Sequence, residues 1–135
     1  HIRLLYNEVK SFPLFDLAGR NDLLHYGRYA ETRIPLNELL PQEPRKKPVV
    51  VLDHNPEGIN EAVECKADLV LCGHTHKGQF FPLTLFTRLS HEKNHFYGQA
   101  TFEETQVIIS AGTGYFQLPV RLGTNSEIVE IILKL

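Results

Sequence analysis

Two short, uninterrupted apolar runs constrain this chain more than any other feature. Val49-Val50-Val51-Leu52 and Asp68-Leu69-Val70-Leu71-Cys72 do not alternate as half-exposed strands do. Each therefore reads as a strand buried on both faces. Between them Pro56 stands where a helix can begin, and Ile59, Ala62 and Val63 recur at helical spacing. Strand, helix and strand in so short a stretch make a compact βαβ unit, whose two strands run parallel.

The flanking segments are less regular. Residues 2–7 and 12–18 read as strands, the second running into a turn at Gly19-Arg20-Asn21-Asp22. Residues 34–40 suggest a short helix ended by Pro41. The stretch from Pro41 to Pro48 carries three prolines and the basic run Arg45-Lys46-Lys47, expected to be a solvated connector rather than an anion patch. Beyond the βαβ unit, residues 79–82 read as a loop, 83–89 as a short helix and 90–94 as a polar segment. Residues 96–102, 106–110 and 128–135 read as strands joined by glycine-bearing turns. A parallel unit feeding an antiparallel meander indicates a mixed α/β domain.

Composition narrows the function classes. The 135 residues are 42% hydrophobic and 22% charged, an ordinary globular mixture with no repeat or low-complexity tract. Fourteen basic and 16 acidic residues leave a net charge of -2, which argues against a dedicated nucleic-acid partner. No apolar run approaches the roughly 20 residues a membrane span requires, and no signal peptide is visible at the start. A chain that opens on His1 and holds no methionine reads as part of something longer. Cys65 and Cys72 are neither a C-x-x-C pair nor a disulfide framework, and read as buried, reduced thiols.

Three of the seven histidines share a placement. His54 lies just past the first buried strand, and His74 and His76 just past the second. Ligands of open α/β sheets bind beyond the carboxyl ends of the strands. Neighbouring strands would bring these ends within about 5 Å, and in an extended segment residues two apart point the same way. Three imidazoles converging on one crevice point to a metal, since histidine is the commonest metal ligand. His1, His25, His91 and His95 show no such placement. Asp53 and Asn55 flank His54, where they can orient its ring; Asn55 can equally cap the helix near Pro56. No nucleophile elbow, Walker loop or dinucleotide fingerprint is present.

The run Asp68-Leu69-Val70-Leu71-Cys72-Gly73-His74-Thr75-His76-Lys77-Gly78-Gln79 closely resembles the G-H-x-H motif of the calcineurin-like metallophosphoesterases. Val50-Val51-Leu52-Asp53-His54-Asn55-Pro56 is similar to the strand-plus-His motif that precedes it. Ser110-Ala111-Gly112-Thr113-Gly114-Tyr115-Phe116-Gln117-Leu118-Pro119-Val120-Arg121-Leu122-Gly123, with Glu127-Ile128-Val129-Glu130-Ile131-Ile132-Leu133, resembles the closing segment of one branch. That branch holds many bacterial phosphoesterases with a membrane anchor or export signal. Gly19-Arg20-Asn21-Asp22 is similar to a G-x-x-D turn of the family. The resemblance spans nearly the whole chain.

The resemblance implies an α/β/β/α sandwich with mixed sheets, of which residues 1–135 would be the C-terminal half of a single domain. It implies metal-dependent hydrolysis of phosphomonoesters or phosphodiesters at a dinuclear centre of Mn, Zn or Fe, with a bridging hydroxide as nucleophile. His54 and His74 would bind one metal and His76 the other. Arg121 would touch substrate phosphate, against a structural ion pair as its alternative. The substrate would be a small or lipid-linked phosphate ester. The family's D-x-H, G-D-x-x-[DN] and G-N-H-[DE] motifs are absent from these residues, and with them the bridging aspartate and the leaving-group acid, so no catalytic residue is assigned here. The chain alone is thus expected to be inactive, to lack its other half, and to self-associate through an exposed apolar face. Two rivals of other classes are a non-catalytic protein-binding scaffold on the same fold and a mononuclear zinc module. Retention of all three histidines speaks against the scaffold.

Overall fold

The two apolar runs form the centre of the fold. The structure is a computed structural model, which describes residues 2–23, 33–41, 43–91 and 95–134. Val49–Leu52 (β3) and Leu69–Cys72 (β4) pair in parallel, Val51 opposite Val70. A 3-10 turn at Pro56–Gly58 leads into the helix Ile59–Glu64 (α2) that joins them. Asp16–Gly19 (β2) adds in parallel to β3, and Thr105–Ile109 (β6) in parallel to β4. Glu8–Ser11 (β1) and Gly98–Phe102 (β5) close the two sides in antiparallel fashion. The six-stranded mixed sheet has the order β1-β2-β3-β4-β6-β5. Two further helices are Leu36–Leu39 (α1) and Leu83–Ser90 (α3).

The pleat divides the sheet into unequal faces. Ala18, Val51, Val70 and Val107 stand in register on one face and are excluded from solvent, packed with Leu36, Ile59 and Ala62 of the helices. Burying a side chain of that size stabilises by roughly 1.5–3 kcal/mol. On the other face Leu52 is 37% exposed at the carboxyl end of its strand. Parallel strands normally have both faces covered, so the second face is the incompletely covered one.

Five local expectations are corrected. The first strand forms at Glu8–Ser11 rather than over residues 2–7. Asn7 takes a left-handed φ of 47°, and Leu5 lies against Gly19, where a Cβ would come within 2.3 Å of the Leu5 side chain. The opening residues therefore cross the end of β2 instead of pairing with it. The β5–β6 hairpin turns on Glu103-Glu104, with Glu103 at φ 53°, and carries no glycine. The described part of the expected strand 128–135 joins no strand of the sheet, at either edge or within it. Ile128 and Ile132 are 87% and 72% exposed there.

The basic run is the fourth. Arg45 and Lys47 are tied down rather than solvated. Arg45 Nη2 donates to the Cys65 and Lys66 carbonyls at 2.5 and 3.0 Å and pairs with Glu43. A cation thus meets the carboxyl end of α2, where carbonyls lack helical partners. Lys47 Nζ donates to Ser11 Oγ and the Phe12 carbonyl. Cys72 is buried and its thiol is pushed up to about 12, by burial first and by Asp53 second, so it remains protonated. Cys65, expected buried, is half-buried.

Candidate metal centre

The carboxyl ends of β3 and β4 lie side by side, and two of the three singled-out histidines meet there. The His54 and His74 rings stand edge to face with centroids 5.2 Å apart. Gly73 N–H donates to the His54 carbonyl at 3.0 Å, fixing one turn against the other. The His54 ring lies over Gly73, where a Cβ would stand in ordinary contact, 3.6 Å from His54 Nδ1.

His54 is held from behind by a buried charge cluster. Asp53 is 2% exposed and takes a bidentate contact from Arg33, Nη1 to Oδ1 at 3.0 Å and Nη2 to Oδ2 at 2.5 Å. Arg20 reaches Asp53 at 3.5 Å and Glu61 at 2.7 Å. Glu61 Oε1 also accepts from the Leu36 amide at 2.6 Å. Burial raises the Glu61 pKa, but hydrogen bonds from Arg20 and Leu36 outweigh it and hold the carboxyl below its ordinary value. Gly58 permits this packing, since a Cβ there would fall 2.2 Å from Asp53 Oδ2. Asp53 therefore engages two arginines rather than the His54 ring. Asn55 takes the capping role, its Oδ1 accepting from the Glu57 amide at 3.1 Å.

The β4 side is built differently. Residues 74–76 are not extended: His74 and His76 have φ of 65° and 48°, followed by Lys77 at 53° and Gln79 at 59°. Left-handed backbone at non-glycine residues costs of order 1 kcal/mol or more each and clusters at functional sites. With this twist, residues two apart no longer share a direction. His74 faces His54, whereas His76 lies beside Arg121, whose Nη2 is 3.4 Å from His76 Nδ1.

Side-chain bonds compensate the strained turn. Gln79 is 2% exposed; its amide donates to the Phe116 and Leu118 carbonyls at 3.1 and 2.8 Å, and its Oε1 accepts from the Phe116 amide. Thr75 Oγ1 donates to the Phe96 carbonyl at 2.8 Å. Arg121 donates to the carbonyls of Ala111 at 2.8 Å and Gly114 at 2.6 Å, and to that of His76 at 3.2 Å. Its partners among the described residues are carbonyl oxygens and the His76 ring rather than a carboxylate, so the ion-pair alternative is replaced by a carbonyl clamp.

Burial lowers the pKa of both His74 and His76, with His54 adding to the effect on the first and Arg121 to that on the second. Both rings are thereby favoured in the neutral form, the form that donates a lone pair to a metal. By donor chemistry His54 and His74 fit a divalent ion. Among the described residues, however, no group of three His, Cys, Asp or Glu side chains is close enough to hold one. His54 and His74 are thus in ring contact, and His76, beside Arg121, lies close enough for both of their charges to act on its ring. His91 Nδ1 contacts the Thr87 carbonyl at 2.8 Å, and the buried His95 packs edge-on to Phe102. His1 and His25 lie outside the described residues.

Sequence reasoning assigned Asp22 only to a turn, yet its Oδ2 lies 4.0 Å from His54 Nε2. The signal available was its position in Gly19-Arg20-Asn21-Asp22, just past β2, the strand beside β3. It is the third strand end at this site.

Comparison with known proteins bears on this geometry. The chain is 37% identical over 122 residues to a zebrafish (Danio rerio) protein named "Transmembrane protein with metallophosphoesterase domain", covering 87% of this chain and 28% of that protein. It is 35% identical over 126 residues to the Bos taurus protein of the same name, covering 87% of this chain and 27% of that one. An "Uncharacterized metallophosphoesterase" of Helicobacter pylori is 32% identical over 136 residues, covering 98% of this chain and 36% of that one. The chain spans about a third of the length of these curated relatives. No family model matches, and no solved structure does. The chain belongs to the calcineurin-like metallophosphoesterase superfamily. Its six-stranded mixed sheet is consistent with the C-terminal half of that fold, and the relatives' names imply divalent metal ions. No helix among the described residues is long and apolar enough to cross a membrane.

Proposed function

We propose that this chain supplies the histidine half of a phosphoesterase centre, in a protein that hydrolyses phosphomonoesters or phosphodiesters. The observation that carries this reading is the pairing of His54 and His74 across the ends of adjacent parallel strands, with ring centroids 5.2 Å apart. These two side chains would hold one divalent ion and His76 a second. When bound, such ions polarise a phosphoryl oxygen and ready a water for attack on phosphorus.

The chain's own residues then have limited, definite tasks. Burial favours the neutral form of His74 and His76, the form that donates a lone pair. Asp53, clamped by Arg33 and Arg20, fixes the backbone that carries His54. Arg121 holds the His76 carbonyl and its ring in place, and can turn its guanidinium to phosphate only by giving up carbonyl partners. Imidazole brings no charge, so carboxylates from elsewhere must balance two divalent ions. This supports the reading that residues 1–135 alone are inactive and act with an upstream, motif-bearing half. The exposed Ile128 and Ile132 support self-association of the chain on its own. The names of the zebrafish and bovine relatives support a membrane-anchored parent.

The test is hydrolysis of p-nitrophenyl phosphate and bis-p-nitrophenyl phosphate, in Mn2+ or Zn2+, by a protein joining this chain to such an upstream segment. Activity that falls at least a hundredfold in His74→Ala is expected. A protein that takes up metal but cleaves neither ester would overturn the reading.

A further inference from the structure

The residue that the sequence left in a turn sets a carboxylate beside the histidine pair. Asp22 Oδ2 stands 4.0 Å from His54 Nε2, with the Asp22 side chain about one-third exposed. The same carboxylate acts on His74, opposing the effect of burial on that ring. At 4.0 Å the contact with His54 is beyond hydrogen-bond range, so Asp22 acts on the pair as a charge.

Its placement is built rather than incidental. Arg33 Nη1, already bound to Asp53, donates to the Asn21 carbonyl at 2.8 Å. The Asn21 amide donates to Asn7 Oδ1 at 3.1 Å, and the Arg20 amide to the Leu52 carbonyl at 3.0 Å. The charge cluster that holds His54 therefore also holds the backbone on the N-terminal side of Asp22. One structure sets the distance between them.

Resting on the metal reading above, we propose that Asp22 is the charge-compensating partner of a cation taken up by His54 and His74. Two neutral imidazoles offer lone pairs and no charge. An adjacent carboxylate raises the affinity of such a pair for a divalent ion, and loss of a group in this role typically costs ten- to a hundredfold in metal affinity.

The experiment is calorimetric titration of the 135-residue chain with Zn2+ at pH 7, beside four variants checked for folding by circular dichroism. Asp22→Asn keeps the shape and removes the charge, and is expected to weaken Zn2+ binding about tenfold or more. Asp22→Glu is expected to recover most of the affinity. Glu103→Gln, in the exposed β5–β6 turn, removes the same charge elsewhere and should leave affinity unchanged. His54→Ala should abolish specific binding. If Asp22→Asn binds like the parent while His54→Ala does not bind, the role of Asp22 is refuted and the metal reading stands. If the parent chain takes up no Zn2+, or His54→Ala binds as well as the parent, the metal reading falls and the role of Asp22 with it.

Discussion

The two strand ends that form the centre are fixed by opposite means. At the end of β3, His54 follows Asp53, and a buried set of ions (Asp53, Arg33, Arg20 and Glu61) sets the backbone. At the end of β4, the turn from His74 to Gln79 takes left-handed conformations at four non-glycine positions. There, neutral hydrogen bonds from Gln79 and the carbonyl clamp of Arg121 hold it. The first arrangement is strong and fails abruptly when one partner is lost. The second spreads its restraint over many bonds. The rigid side presents a single ring in one direction, whereas the twisted side sends His74 toward the pair and His76 toward Arg121.

Removing one ion from the β3 side should have the largest effect. Asp53→Ala leaves two buried guanidinium groups without their shared carboxylate, and is expected to cost about 3–5 kcal/mol in urea unfolding. A loss below about 1 kcal/mol would mean that the cluster is not what fixes this side. On the β4 side Gln79→Ala removes the three hydrogen bonds of a buried amide side chain, with an expected cost of about 2 kcal/mol. Its effect should be local, with amide exchange quickening over residues 114–124 and little change at Asp53. Equal quickening at both places would erase the distinction between the two sides.

Acid should act on the β3 side through Glu61. Its pKa is lowered in the folded chain, so its contribution is fully present above the unfolded value, near 4.3, and is lost as pH falls through the lower folded value. Glu61→Gln should flatten that acid limb by about 1 kcal/mol or less, since the side chain is about one-third exposed. An unchanged limb in the variant would show that other carboxylates govern it.

The order of the βαβ unit, the parallel pairing of β3 with β4 and the placement of His54 and His74 were all legible in the sequence. Each follows from local pattern: continuous apolar runs, Pro56 at a helix start and histidines just past strand ends. The direction of His76 was not, because it depends on left-handed φ at His74 and His76, a conformation uncommon at non-glycine residues even though histidine adopts it more often than most. Arg33 was equally silent, since an isolated arginine in sequence gives no sign that it will reach Asp53 across the fold. Asp22 shares that difficulty, for only the pairing of β2 with β3 brings it to His54. The stretch 128–134 shows the reverse failure. Its apolar content reads as a strand, but apolar content does not say which strand would pair with it, and it joins neither edge of the sheet.

The measurement that most directly tests the centre is the set of histidine ring 15N resonances of the chain, followed as Zn2+ is added to one equivalent. The account predicts that the ring nitrogens of His54 and His74 shift together, saturating near one ion per chain, while those of His76, His91 and His95 move little. Shifts confined to His91 and His95, or no saturating shift at His54 and His74, would contradict it.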